Sequence, residues 1–471
     1  MFRKNAAGFD KPINRRNVLG TGSRIVGAAT LLKAAAAVVP GGAWAAGGEG
    51  IEKTKLSLGI IPLTDCAPIV IAREKGFFKQ FGLDVGISKE ASWATIRDKV
   101  HIGALDGAHM LAGMPIASSL GIGGLRKPTI TAWSMDLNGN AITVSNELYE
   151  AMVAADPKAM AERPRSARAL KKVIDARSAQ GMEPLTFAVV FPTSTHNYQL
   201  RYWMADAGID PDRDVRIAVI PPPQMVANLQ ANNIVGYCVG EPWNSRAIAA
   251  GLGKALITSY EIWNNGPEKV LGVNLDWAEK HPNTHKAMIG ALAAASQWMD
   301  RPENRAEVAG IISRPAYVNA DAETVRMSTT GTFRYARDEE PVPLPDFNVF
   351  HRYAANFPWV SHASWFISQM IRWGQVAEPL DVASAAASIY RPDIYRDAVR
   401  DLGIATPAID TKIEGTHDAP WMLGLASAPI PMGPDRFLDN RVFDPAAIAA
   451  YVEGFEIRNP KFDTAMLAAT A

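Results

Sequence analysis

Twice along this chain, short apolar runs rich in β-branched residues alternate with amphipathic segments, and that alternation restricts the fold more than any other feature. In the first set, residues 56–61, 83–88, 104–111 and 128–134 read as strands, with helices over 69–75 and 91–100 and a third following 111. In the second, strands at 185–190, 215–220 and 234–239 are separated by helices starting near Thr195 and Pro223. Strands separated by helices cannot be joined by tight hairpins, so the expectation is α/β, with parallel sheets covered on both faces. Neither set accounts for 471 residues, whose 48% apolar content supports more than one full-sized core. Two lobes with a cleft between them follow: 51–150 as the first part of lobe I, 151–260 as lobe II, and 261–471 as a return to lobe I plus a helical C-terminal region. The helices expected there are 285–299, 304–312, 322–330, 363–374, 381–388 and 393–402, with an aromatic concentration from Phe350 to Trp373 as packing material. Ligands of open α/β sheets bind beyond the carboxyl ends of the strands, where the loops after Ile61, Ser88, Val190 and Val239 would gather.

One of those loops has chemistry of its own. In residues 185–203 an apolar run enters, Pro192-Thr193-Ser194-Thr195 turns the chain, and an amphipathic segment leaves, which reads as strand, loop and helix with His196 in the first helical turn. The first amides of a helix lack internal partners and carry partial positive charge, so this end is a candidate seat for a small oxyanion. On the stretch alone, a hydroxyl cap and a solvated His196 explain it better. Other polar or aromatic residues at expected loop ends are Trp93, Asn140 and Lys269. A planar, weakly hydrated monoanion would suit an indole, an amide, an imidazole and one ammonium. Taken singly, Trp93 reads as core, Asn140 as a turn residue and Lys269 as a solvated charge.

The 48 basic and 48 acidic residues balance, yet residues 1–45 hold seven bases against one acid, so the remaining 41 bases and 47 acids stand at −6. No basic excess exists to suit nucleic acid, and an anion must be attracted locally. The basic start, Arg15-Arg16, the apolar run 25–39 and Ala43-Trp44-Ala45 have the layout of an export signal cleaved after Ala45, and they resemble a twin-arginine signal. An uncleaved membrane anchor is the competing reading, opposed by Lys33 and by the run's shortness against the roughly 20 residues of a spanning helix. Cys66 and Cys238 are too few for a disulfide scaffold. His101, Asp106 and His109 lack the tight spacing of a zinc site, and Cys66 with His196 as base has no supporting signature. Neither a dinucleotide fingerprint nor a Walker loop occurs, so no cofactor is expected.

Several stretches resemble the nitrate- and bicarbonate-binding proteins of ATP-driven importers, the nitrate-binding periplasmic family. They include Leu63-Thr64-Asp65-Cys66-Ala67-Pro68, Glu74-Lys75-Gly76-Phe77-Phe78, Ala91-Ser92-Trp93-Ala94-Thr95, Leu105-Asp106-Gly107-Ala108-His109, Thr195-His196, Pro221-Pro222-Pro223-Gln224 and Val239-Gly240-Glu241-Pro242-Trp243-Asn244. The resemblance implies a two-lobed type II periplasmic-binding-protein fold that closes on its ligand, and a non-enzymatic, periplasmic role of handing the ligand to an inner-membrane permease and its ATPase. It also implies that Trp93, His196 and Lys269 hold the anion, with Asn140 standing where the family has a longer glutamine. Bicarbonate-binding members place an acid at the Lys269 position and pair it with a divalent cation, so a lysine favours nitrate, with nitrite as a close analogue. Cytoplasmic nitrate sensors of the same family are an alternative that the export signal opposes. An enzyme of similar fold, such as those making a thiamine precursor, would need a cofactor site the sequence does not display.

Overall fold

In the computed structural model, which describes residues 50–463, 465 and 467, the apolar runs assemble into two sheets. The expected export signal over 1–45 lies outside the described residues. The chain lays down β1 (Lys55–Ile60), β2 (Asp84–Lys89), β3 (Gly107–Leu111) and β4 (Thr129–Asn138), then crosses over at Gly139. It continues through β5 (Asn140–Ser145), β6 (Thr186–Val189), β7 (Arg216–Val219), β8 (Gly236–Gly240) and β9 (Gly253–Thr258), and returns as β10 (Pro267–Asn274). The first sheet has the order β4-β10-β3-β1-β2, with the two-residue strand Asn348–Val349 beside β4, and the second has the order β7-β6-β8-β5-β9. A returning strand inserted between the third and fourth of its own sheet is the arrangement of a two-lobed type II binding-protein fold.

The expectation of purely parallel sheets is corrected here. Where helices intervene the pairs are parallel, β1 with β2 and β3, and β6 with β7 and β8. β10 runs antiparallel to β3 and β4, and β5 antiparallel to β8 and β9. β5 and β10 arrive from the opposite lobe, so their direction is set by the crossing rather than by a helical crossover within one sheet. At the first crossing Gly139 has φ 96°, in the left-handed region, and a Cβ there would run into the amide nitrogen of Asn348. At the second crossing Thr258 and Glu261 form a capping box on the short helix Ser259–Ile262, and Asn140 N–H donates to the Ser259 hydroxyl at 3.0 Å.

The helices expected from 281 to 402 form close to their expected bounds, among them Pro282–Met299, Val360–Arg372 and Pro392–Val399. Beyond Leu402 the described chain runs as loops, a hairpin of Trp421–Leu423 with Ile430–Met432, and the helix Ile448–Glu453. This extension docks on the second crossing: Asn264 N–H donates to Arg436 C=O at 2.9 Å, and Leu438 N–H to Ile262 C=O at 2.8 Å. Trp263 stacks on Phe437 with ring centroids 4.6 Å apart. Across the cleft, Thr64 N–H donates to Glu241 C=O at 2.7 Å, Trp243 Nε1 donates to Pro62 C=O at 3.2 Å, and Gly113 abuts the Thr193 carbonyl so closely that no side chain fits. The two cysteines are free, buried thiols in separate hydrophobic clusters.

One brace runs to the centre of the first sheet. Asp300 accepts from the backbone amides of Phe350, His351 and Arg352 at 3.3, 3.2 and 2.8 Å and from the Arg352 guanidinium at 2.9 Å, and it pairs with buried Arg305. Arg305 donates to Asn348 C=O at 3.1 Å, Asn348 donates its side-chain amide to Asp136 at 3.0 Å, and Asp136 accepts from the backbone N–H of Lys269 at 3.1 Å. Asp300→Ala leaves Arg305 buried without its carboxylate and is expected to cost about 3–5 kcal/mol of stability. Urea unfolding checks this, and a midpoint equal to that of the native chain would contradict it.

Candidate functional site

The polar cluster at the cleft centres on Lys269, a wholly buried lysine on β10. Its ammonium lies 2.6 Å from Asp65 Oδ2 and also donates to Glu268 Oε1. Successive strand residues normally face opposite ways, but the pairing of β10 with β4 slips on both sides of Lys269, and such a slip lets Glu268 and Lys269 meet in one cluster. Asp65 comes from the single turn Thr64–Cys66 after β1. His109, on β3, accepts from Ile61 N–H at Nδ1 (3.4 Å) and places Nε2 2.9 Å from Asp65 Oδ1, so its ring proton faces the carboxylate.

The second lobe meets the same group. Glu268 Oε2 accepts from the Asn140 side-chain amide at 2.7 Å, and that amide also donates to Gln199 Oε1 at 3.1 Å. His196 Nε2 lies 3.5 Å from Glu268 Oε1. Trp93 stands edge-on to His109 with centroids 5.0 Å apart, and the Lys269 ammonium is 5.7 Å from the indole ring. Ser92 caps the helix Trp93–His101 and so aims Trp93 inward, while Ser194 caps the helix Thr195–Asp206 and so aims His196. With Ser194 serving as the cap, the hydroxyls of Thr193 and Thr195 are left over. Those two hydroxyls, Trp93 Nε1, both His196 ring nitrogens and Asn140 Oδ1 are buried with no hydrogen-bond partner among the described residues. Each such atom costs about 1–3 kcal/mol unless something fills the gap, so the unpartnered Trp93, His196 and Asn140 atoms in the Lys269 cluster mark a candidate place for a small polar guest.

Burial opposes the Lys269 charge, but Asp65, Glu268 and Asp136 outweigh it and push the pKa up, so the lysine is cationic. Burial also opposes the Asp65 charge, and Lys269 and His109 overcome it to hold that carboxyl below its usual range. Burial raises Asp136 well above the ordinary carboxylate range, with the Asp65 charge adding to the effect. Glu268 is raised by burial as well, against the pull of Lys269. His196 is driven well below 6.5 by burial and then by Lys269, so its imidazole is neutral.

All four residues singled out in the sequence, Trp93, Asn140, His196 and Lys269, are therefore brought together. Lys269 and Asn140 lie on strands rather than at loop ends, and the solvated readings of Lys269 and His196 are overturned, since both are wholly buried. Sequence reasoning missed Asp65, Glu268, His109 and Asp136. A readable signal was the acid–base pair Glu268-Lys269 leading straight into the apolar run Val270-Leu271-Gly272-Val273. Of the histidine pair weighed for metal, His109 joins this cluster while His101 contacts Ser118 at 3.1 Å, and Asp106 binds Lys53 and Trp277. Burial and the adjacent Asp65 charge push the Cys66 thiol up, which makes it inert as a nucleophile.

The NMT1-like family model matches residues 49–313. The chain is 42% identical over 364 residues to the nitrate import ATP-binding protein NrtC of Synechocystis sp., covering 76% of this chain and 52% of that protein. It is 39% identical over 359 residues to the bicarbonate transport ATP-binding protein CmpC of Synechocystis sp., covering 75% and 51%. The chain thus spans about half the length of these two curated relatives. The crystal structure of the periplasmic nitrate-binding protein NrtA from Synechocystis PCC 6803 superposes with a TM-score of 0.75 at 30% identity, covering 87% of this chain and all of that one. No helix among the described residues is long and apolar enough to cross a membrane. The chain belongs to the NMT1-like family and is similar to the periplasmic nitrate-binding protein NrtA and to ATP-binding proteins of nitrate and bicarbonate import.

Proposed function

We propose that this chain is the exported, periplasmic substrate-binding subunit of an ATP-driven importer, that it closes on nitrate between its lobes, and that it passes the anion to a membrane permease. The observation that carries this reading is the buried Lys269 ammonium, 5.7 Å from the Trp93 ring and joined through Glu268 to His196, with the indole N–H and both imidazole nitrogens left unpartnered. A nitrate ion is planar and accepts hydrogen bonds without donating any, which suits a site whose unfilled atoms are mostly donors. Trp93 offers an indole N–H, Thr193 and Thr195 offer hydroxyls, and neutral His196 offers one ring N–H. Asn140 has both amide protons engaged by Glu268 and Gln199, so it reaches the anion only if Glu268 moves.

A bicarbonate reading is the main competitor, because one of the relatives belongs to a bicarbonate transporter. A lysine at position 269 opposes the divalent cation that the bicarbonate-binding members pair with their ligand. An enzymatic reading finds no activated nucleophile at Cys66 or Lys269, since burial pushes the Cys66 thiol up and Lys269 is held cationic.

Calorimetric titration with nitrate, nitrite and bicarbonate tests the reading: heat is expected with nitrate, and heat from bicarbonate alone, dependent on calcium, would overturn it. Lys269→Glu replaces attraction by repulsion at contact distance and is expected to weaken nitrate binding by about a hundredfold or more. Trp93→Phe keeps the ring and removes only the N–H, so the loss should be about ten- to a hundredfold, as for one hydrogen bond to a charged group. Affinity unchanged in either variant would remove that side chain from the site.

A further inference from the structure

The single ammonium of Lys269 is already outnumbered by the two carboxylates it meets, and an arriving anion adds to that excess. Every ionisable group facing the site is buried: Asp65 after β1, His109 on β3, Asp136 on β4, Glu268 and Lys269 on β10, and His196 from the second lobe. Lys269 is the single fixed cation among them, and it already meets two carboxylates, Asp65 and Glu268. Both histidines are neutral at ordinary pH, because burial lowers each below its usual value. A monoanion added to that set leaves surplus negative charge in a site closed to water, where an uncompensated ion costs several kcal/mol.

We infer, on the basis of the nitrate reading above, that the closed site takes up its anion together with one proton from solvent, and that Glu268 is the residue that holds it. Glu268 Oε1 is shared between the Lys269 ammonium and the His196 ring, whose Nε2 is 3.5 Å away and has no hydrogen-bond partner among the described residues. A proton on Glu268 offsets the charge that the anion brings and returns the site to the balance it had when empty. It also releases the ammonium from one of its two carboxylates, so that Lys269 can turn to the anion. Oε2 keeps its hydrogen bond from Asn140, which holds the acid in place throughout. Asp136 cannot do the same, because its two oxygens accept from the Lys269 backbone N–H and from the Asn348 side-chain amide and it does not hold the ammonium in a direct ion pair. Asp65 remains the permanent counter-ion, with Lys269 and His109 on either side of it.

Titrating the full chain with sodium nitrate at pH 8, by calorimetry in two buffers of different ionisation enthalpy, reads the proton directly. Uptake of about one proton per anion is expected, with affinity tightening about tenfold per unit fall in pH through the titrating range. Identical heats in the two buffers would overturn the coupling while leaving nitrate binding intact. No heat at any pH would instead overturn the nitrate reading on which the coupling rests. Glu268→Gln keeps the shape of the protonated acid, so it should bind nitrate with no proton uptake and a flat pH profile. Proton uptake persisting in that variant would overturn the assignment to Glu268.

Discussion

An ammonium sealed from water is stable only where carboxylates meet it, and the Lys269 ion cluster is the interaction on which the rest of this structure depends. Its partners come from different parts of the first sheet: Asp65 from the turn after β1, Asp136 from β4 and Glu268 from β10 itself. The second lobe supplies Asn140 and His196, which reach Glu268 and no other acid of the cluster. The ion pairs of Lys269 therefore lie within the first lobe, and the second lobe joins the cluster through Glu268.

Support for that junction comes from both crossings. The first is a single glycine, conformationally permissive and pressed on Asn348, and Asn348 in turn holds Asp136 behind β10. The second is wider and is covered by the C-terminal extension, which bonds to Ile262 and Asn264 and stacks Phe437 on Trp263. A hinge motion of the lobes must bend both connections, so the extension acts on the same coordinate as ligand binding. The Asp300 network lies beyond them and transmits no charge to the site, but it fixes Asn348 through Arg305.

How much of this was legible in the sequence depended on distance along the chain. Strands followed by their own helices, such as β1, β2 and β6, were readable because periodicity and caps are local. β10 was not, since it begins with Glu268-Lys269 and pairs with strands laid down before the excursion through the other lobe. His196 was readable as a residue of a helix's first turn, while its burial was not. The acid that His196 meets there, Glu268, lies far along the chain. Lys269 alone read as a solvated charge for the same reason: the acceptor of its backbone N–H, Asp136, is 133 residues away. Resemblance to a family brought the four residues together where spacing could not, but it passed over Asp65 and Glu268, the two acids that set the charge state of the site.

On binding, the Lys269 ammonium is proposed to exchange a carboxylate for the anion. A crystal structure of the protein grown with nitrate tests it most directly. The predicted result is density for a planar anion within hydrogen-bond reach of Lys269 Nζ, Trp93 Nε1 and His196, with the Asp65 contact kept and the ammonium turned from Glu268 to the anion. Continuous density for Lys269 still held by both carboxylates, in crystals saturated with nitrate and with no planar anion between the lobes, would contradict it.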